Sequence, residues 1–207
     1  MKKTAKQSKA PVTGRQAAAA KRKEMILEAA VACFLENGYH QTGVRHIAKR
    51  AGVSLGNLYN HFPGKHDVLA EIAALERAGL EPILKGLAKP APAPEVFDEF
   101  LASYASFLAS VDNVILTIEI SSEAIRQPDI GELFLANRNE LAMALTAVIE
   151  RGVADGDFRN DLDPKEVALL IIDVVDGCAY RSVLSEIPMH DLLDDAKDFV
   201  FAAIRKG

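Results

Sequence analysis

Apolar residues recur at helical spacing along nearly the whole chain, and nowhere do they alternate in sustained strand-like runs. Ile26, Ala30, Cys33 and Phe34 form one stripe, which predicts a helix over 17–37 stopped by Asn37-Gly38. Val44, Ile47, Ala48 and Ala51 fall at i, i+3, i+4 and i+7, a second helix over 43–51, with Thr42 as its cap and Gly52 as its stop. Ser54 caps a third helix, 54–61, which Pro63-Gly64 ends. A fourth runs over 65–87, with Val68, Leu69, Ile72 and Leu75 on one side. The Pro-rich joint KPAPAPEV (89–96) leads into helices over 95–110 and 112–127, and Pro128 ends that one or starts the next, 129–154. In RNDLDPKEV (159–167), Asp163 is an N-cap, Pro164 sits at the first helical position and Glu166 is placed to reach back to the cap. That helix extends to about 186, and a last one covers 190–205. The expectation is an all-α chain of about nine helices.

The third helix is unlike the rest. Leu58 and Phe62 serve to pack it, while Asn57, Tyr59, Asn60 and His61 offer donors and acceptors, and Gly56 allows close backbone approach. Three helices of these lengths, with a Gly-containing turn between the last two, have helix-turn-helix dimensions. In such a unit the final helix lies in the DNA major groove, so its polar face would reach base edges and phosphates.

Charge sharpens this reading. Residues 1–65 hold 12 Lys/Arg against 3 Asp/Glu, a net +9, whereas residues 66–207 hold 12 against 26, a net −14. A basic first part suits a polyanion and the acidic remainder would face away from it. Arg45, Lys49, Arg50 and Lys65 lie beside the short helix, not in the tail. Residues 1–17, rich in Lys, Ser and Gln, are expected to form a disordered basic arm. No run of 18 apolar residues predicts a membrane span, and the basic start lacks the apolar core of a secretory signal. Two cysteines on apolar stripes, Cys33 and Cys178, fit reduced core residues, so a cytoplasmic protein is expected.

NGYHQTGVRHIAKRAGVSLGNLYNHFPGKHDVL (37–69) closely resembles the DNA-binding signature of the TetR (tetracycline-repressor-like) regulators, and the likeness is dense over about 24–72. It rests on Gly38-Tyr39, Thr42, Ile47-Ala48, Ala51 to Ser54, Gly56, Leu58-Tyr59, His61-Phe62, Lys65 and Leu69. The segment IERGVADGDFRNDLDPKEVALLI (149–171) is similar to C-terminal domains from several branches of that family. The resemblance implies a helix-turn-helix domain over 18–64 and a helical effector-binding and dimerisation domain over 65–207. It implies phosphate contacts at Thr42, Tyr59 and Lys65, and base contacts from 54–60. With Arg45 and His61, this makes Thr42, Arg45, Ser54, Leu55, Gly56, Asn57, Tyr59, Asn60, His61 and Lys65 the candidate DNA-binding set. Leu55 and Asn57 stand where the family varies, so the operator sequence does not transfer. The function implied is a transcription repressor released by a small-molecule effector that moves helix 65–87. A DNA-binding organiser without an effector, a non-DNA-binding helical protein and an enzyme are the rival readings.

Other chemistry is thinly represented. PGKHD lacks the phosphate-loop pattern, because Tyr59 stands where the first Gly belongs and His66 where Ser or Thr belongs. The five histidines show no HxxxH or HExxH spacing, so no metal, cofactor or catalytic residue is expected. Glu119 and Glu123, four apart, read as solvated-face charges. In the helix after Asp163, Val167, Leu170, Ile171, Val174 and Cys178 give the main stripe, and Leu169, Asp173, Asp176 and Tyr180 a second face. Carboxylates there are expected to pair with Arg138 or Arg181, line a pocket or rim an interface. Candidate pocket residues are Tyr104, Phe107, Glu119, Phe134, Arg138, Asp173 and Tyr180. The last two helices carry more apolar surface than one stripe needs, which predicts a homodimer built on Val174, Cys178, Leu192, Ala196, Phe199, Val200 and Ala203. Its two-fold axis would place recognition helices about 34–36 Å apart, on a near-palindromic operator.

Overall fold

The computed structural model describes residues 14–206, so the expected arm over 1–13 lies outside the described residues. Among the described residues there are nine helices and no strand: α1 (Gly14–Gln41), α2 (Val44–Arg50), α3 (Leu55–Tyr59), α4 (Lys65–Leu87), α5 (Ala93–Leu108), α6 (Val111–Ala124), α7 (Pro128–Asp155), α8 (Pro164–Ser185) and α9 (Met189–Ile204). Residues 14–17 begin α1 instead of ending an arm, and they are exposed. Among the described residues no single helix is long and apolar enough to cross a membrane, and the apolar pair α5 and α6 is bent by 85°.

The chain divides into two compact units, and the division falls inside α4, after Val68. In the first, Ile26, Ala30, Cys33 and Phe34 of α1 meet Ile47 and Ala48 of α2 and Leu58 and Phe62 around α3, all buried. Gly38 stops regular α1 geometry as expected, with φ 73° and ψ 161°, a backbone that other residues rarely adopt. Gly52 closes α2 at φ 66°. The cap of α2 is Gly43, not Thr42. Thr42 instead turns its hydroxyl inward to the carbonyls of Cys33 and Gly38, at 3.0 and 2.8 Å.

The second unit is a helical bundle whose centre is α5. Phe97, Phe100, Leu101, Tyr104, Ala105 and Leu108 are all buried there against neighbouring helices. Phe97 sits edge-on to Phe158 and Phe201, at centroid distances of 5.9 and 5.3 Å. Asp163 caps α8 by accepting from the Lys165 and Glu166 amides at 2.9 and 3.1 Å. The turn after α7 is tied to the end of α9, where the Arg159 amide donates to the Ile204 carbonyl at 2.9 Å.

Two stripes depart from their expected positions. On α4 the buried line is Val68, Leu69, Ile72, Ala73, Leu80, Ile83 and Leu87, which has Val68, Leu69 and Ile72 as expected but leaves Leu75 52 % exposed and brings Glu76 inward. On α8 it is Ala168, Ile171, Ile172, Val175 and Ala179, so Leu170 faces out and Val174 and Cys178 are half-buried. In both helices the choice between adjacent apolar residues is made by the opposing helices, which local periodicity does not register.

Candidate DNA-binding surface and effector cavity

The first site is built on α3. The Ser54 hydroxyl accepts from the Asn57 amide at 3.2 Å and starts the helix. The helix spans Leu55–Tyr59, shorter than the expected 54–61, and Leu58 is its one buried residue. Gly56, Tyr59 and Asn60 are exposed, while Leu55, Asn57 and His61 are half-buried. Tyr59, at 47 % exposed, is a large aromatic side chain left in solvent by a helix that packs little. The Asn57 amide oxygen is enclosed and finds no donor, so that residue does not turn its whole polar end outward. Arg45 and Lys49 are exposed on α2, and Arg50 pairs with Glu36 of α1 at 2.5 Å.

Two of the implied phosphate contacts have other partners. Thr42 is 1 % exposed, and its hydroxyl donates to backbone carbonyls. Lys65 Nζ donates to the Tyr39 and His40 carbonyls at 2.8 and 3.2 Å and lies 4.3 Å from the Tyr39 ring centroid. A cation at the carbonyl end of a helix is favourably placed. Lys65 therefore clamps the end of α1 to the start of α4, and one of its three N–H donors is all that these two bonds leave over.

The second site is a cavity of about 30 Å³ inside the second unit. Its wall is formed by Glu76 and Leu80 of α4, Tyr104, Phe107 and Leu108 of α5, Thr117 of α6, Phe134, Asn137, Arg138 and Leu141 of α7, and Asp176 of α8. Tyr104 and Phe107 lie nearly parallel, 6.5 Å between centroids. Gly79 lets Phe107 close on α4, since a Cβ there would stand 2.8 Å from its ring. Asp176 is the hub of the polar side: Tyr104 Oη donates to Oδ1 and Arg138 Nη1 to Oδ2, each at 2.7 Å. Arg138 also bonds Asp173 through Nη2. The expected pairing of these carboxylates with Arg138 is present, and Asp176 both pairs and lines the cavity.

Burial, and then the nearby Asp176 charge, push the Glu76 carboxyl up to about 7. Burial and Asp176 likewise hold the Tyr104 phenol well above its ordinary range, so it stays a donor. Of the expected pocket residues, Tyr104, Phe107, Phe134 and Arg138 line the cavity. Asp173, 62 % exposed at its side chain, grips Arg138 from outside, and Glu119 and Tyr180 are half-buried away from the lining. Glu123 corrects the solvated-face reading: it is 2 % exposed and accepts from Gln127 Nε2 at 2.5 Å. Glu76 was missed because the stripe drawn through Leu75 put it on the outer face. Its spacing of four from Ile72 and from Leu80 was the available signal.

The expected dimer set divides. Leu192 and Val200 are 5 % and 3 % exposed and belong to the subunit's own core. Phe199 is 69 % exposed, Ala203 is exposed, and Val174, Cys178 and Ala196 are half-buried. Cys178 Sγ lies 3.8 Å from the Leu192 carbonyl oxygen.

A short Ser54-capped helix after a turn, ahead of a wholly helical second unit with an internal cavity, describes a one-component regulator with separate DNA and ligand parts. Comparison with known proteins agrees. Residues 26–72 match the bacterial regulatory proteins of the tetR family, and residues 109–205 match the BetI-type transcriptional repressor C-terminal domain. The chain belongs to the TetR family of transcription regulators. It is 31 % identical over 158 residues to the HTH-type transcriptional repressor KstR2 of Mycolicibacterium smegmatis, covering 74 % of this chain and 76 % of that one. It is 29 % identical over 167 residues to the fatty acid metabolism regulator protein of Bacillus subtilis, covering 78 % and 83 %. Among solved structures, FadR from Bacillus subtilis in complex with stearoyl-CoA superposes with a TM-score of 0.76 at 24 % identity, over 88 % of this chain and 99 % of that one. A transcriptional regulator from Saccharomonospora viridis in complex with choline gives 0.77 at 21 % identity, over 91 % and 100 %.

Proposed function

We propose that this chain is a sequence-specific transcription repressor that binds operator DNA as a homodimer and is released when a small molecule occupies the α4–α8 cavity. The observation that carries the DNA half is α3: five residues, one of them buried, with Gly56, Tyr59 and Asn60 turned to solvent in the basic part of the chain. A helix that contributes so little core is explained by what it reaches outside. Arg45, Ser54, Leu55, Asn57 and His61 complete the proposed contact surface. The relatives' names support repression, and the stearoyl-CoA and choline complexes support a ligand for the helical domain. The domain roles divide near residues 64–68, and a cytoplasmic, non-enzymatic protein goes with this reading. The dimer surface is proposed as Leu170, Val174, Cys178, Ala196, Phe199 and Ala203, the exposed and half-buried apolar residues of α8 and α9. α4 carries both Lys65 and the cavity residues Glu76 and Leu80, so ligand-induced movement of α4 is the coupling route. A coupling of about 1–3 kcal/mol would change DNA affinity by roughly 5- to 150-fold.

Selection from random duplexes, followed by mobility shifts at graded salt, tests this. The expected outcome is a near-palindromic site whose half-sites lie one helical turn apart, with affinity falling linearly on a log–log salt plot. Binding with no sequence preference over random DNA would overturn it.

A further inference from the structure

The cavity wall has one feature that the DNA-regulator reading does not use. Most of its charged and amide groups have named partners. Asp176 has a donor on each oxygen, from Tyr104 and Arg138 at 2.7 Å. Arg138 spends its second nitrogen on Asp173, and Asn137 donates through Nδ2 to the Ala73 carbonyl at 3.1 Å while its side chain also hydrogen-bonds the Glu76 carboxyl. Glu76 Oε2 is sealed from solvent and has no donor. A buried acceptor of that kind is costly until something donates to it.

The charges around it narrow what that donor is. Glu76 on α4 is faced by Asp176 and Tyr180 from α8, Arg138 and Asn137 from α7 and Tyr104 from α5, while α6 brings the uncharged Thr117. With Glu76 ionised, two carboxylates, Glu76 and Asp176, line the cavity against one guanidinium, and that guanidinium is already held by Asp176 and, from outside, by Asp173. A carboxylate or phosphate ligand would meet excess negative charge with no cation left to receive it. An alcohol could donate but would leave the charge uncompensated. The remaining walls, Leu80, Phe107, Leu108, Phe134 and Leu141, are apolar or aromatic, and aromatic faces attract cations.

We propose that the cavity takes a protonated amine, its ammonium donating to the Glu76 carboxylate and its carbon body lying against Phe107, Phe134 and Leu80. This rests on the reading of the cavity as the effector site and names its ligand class. Phe107 and Phe134 are half-exposed, so their displacement is the route by which a cavity of about 30 Å³ admits a larger body. Binding selects the ionised form of Glu76. A carboxyl that titrates near 7 is mostly protonated at pH 6 and mostly ionised at pH 8, so affinity falls about tenfold from pH 8 to pH 6. A simple alkylamine keeps its own charge over that range.

The test uses the full chain, isothermal titration, and three probes of one shape: 2-phenylethylammonium, 2-phenylethanol and 3-phenylpropionate. The ammonium is expected to bind at least tenfold tighter than the other two, to weaken about tenfold between pH 8 and pH 6, and to release about half a proton per site at pH 7, measured by titration in two buffers of different ionisation enthalpy. Glu76→Gln should lose at least tenfold for the ammonium, and with it both the pH dependence and the proton release. Thermal melts of Glu76→Gln confirm that it is folded. If the alcohol or the carboxylate binds as well as the ammonium, or if Glu76→Gln keeps the pH dependence, the amine assignment falls and the effector cavity stands. If none of the three binds, the effector reading of the cavity falls with it.

Discussion

The two units handle polar side chains in opposite ways. Around α3 functional candidates point out of a small, mostly apolar core, and Tyr59 and Asn60 stand in solvent. In the helical bundle the polar groups point in: Glu76, Tyr104, Arg138 and Asp176 gather about a cavity, and Glu123 is nearly fully enclosed. An outward site needs the fold only as a platform, so its side chains can change without loss of stability. An inward site is part of the packing, so the same groups that would bind a ligand also affect whether the unit folds. Substitutions that separate stability from binding should therefore behave differently in the two units.

The largest effect is expected from two neighbours on α9. Val200→Asp buries a charge among apolar side chains, which should destabilise the second unit by about 4 kcal/mol or more. Phe199→Asp changes an exposed position and should leave the subunit folded while weakening self-association. Thermal melts and light scattering on both variants separate these outcomes. A cooperative, parent-like melt from Val200→Asp would show that Val200 is not core.

That pair also marks where the sequence stops being legible. All nine helices, the cap at Ser54, the cap and proline at Asp163-Pro164 and the stops at Gly38 and Gly52 follow from local chemistry, and the structure has them. Side-chain direction in the second unit does not follow. Leu75 and Leu170 are as apolar as their buried neighbours, and only the opposing helices choose between them. Opposing helices likewise bring Glu76 to the cavity and bury Val200 and Leu192 within the subunit. In the first unit the stripe of α1 was placed correctly because its apolar face is narrow. The partners that Thr42 and Lys65 have within the chain were not legible for a different reason: they are backbone carbonyls, at Cys33, Gly38, Tyr39 and His40, and composition carries no trace of these.

A second contrast is in pH. The folded-state carboxyl of Glu76 is raised from 4.5 to about 7, so its contribution favours the folded state below about 4.5 and is lost as pH rises through about 7. Glu76→Gln should therefore stabilise the protein above pH 7, by on the order of 1–3 kcal/mol, and make no difference below about pH 4.5. Denaturant titrations across that range give the answer. A constant difference at every pH would remove Glu76 titration as the cause.

Lys65 blurs the distinction between the units, because it belongs to the outward-facing one and yet is bonded inward. Lys65→Met keeps the aliphatic stem but removes two bonds to carbonyls and the stacking on Tyr39. A loss of about 1–2 kcal/mol in the first unit is expected. Tyr59→Ala should change stability by less than about 0.5 kcal/mol while weakening operator binding. Parent-like stability of Lys65→Met, together with a salt slope lower by about 1, would return Lys65 to a phosphate role.

The two caps set the units side by side at equal chemistry. Ser54 accepts one amide bond at 3.2 Å, and Asp163 accepts two, at 2.9 and 3.1 Å. Replacing either by Ala should cost about 1 kcal/mol, since each removes the acceptor for otherwise unpaired helix-start amides. The consequences then diverge. α8 is anchored by five buried residues spread along 22, so fraying its first turn leaves the rest in place, and Asp163→Ala should alter DNA affinity little. α3 is five residues long and buries Leu58 alone, so the cap is a large share of what holds it. Ser54→Ala should loosen the whole helix and lower operator affinity beyond what one lost hydrogen bond explains, visible as faster amide exchange at Leu58 and Tyr59. Equal effects of the two substitutions on DNA binding would mean that α3 is held by more than its cap and Leu58, and that the first unit is less locally built than its sequence implies.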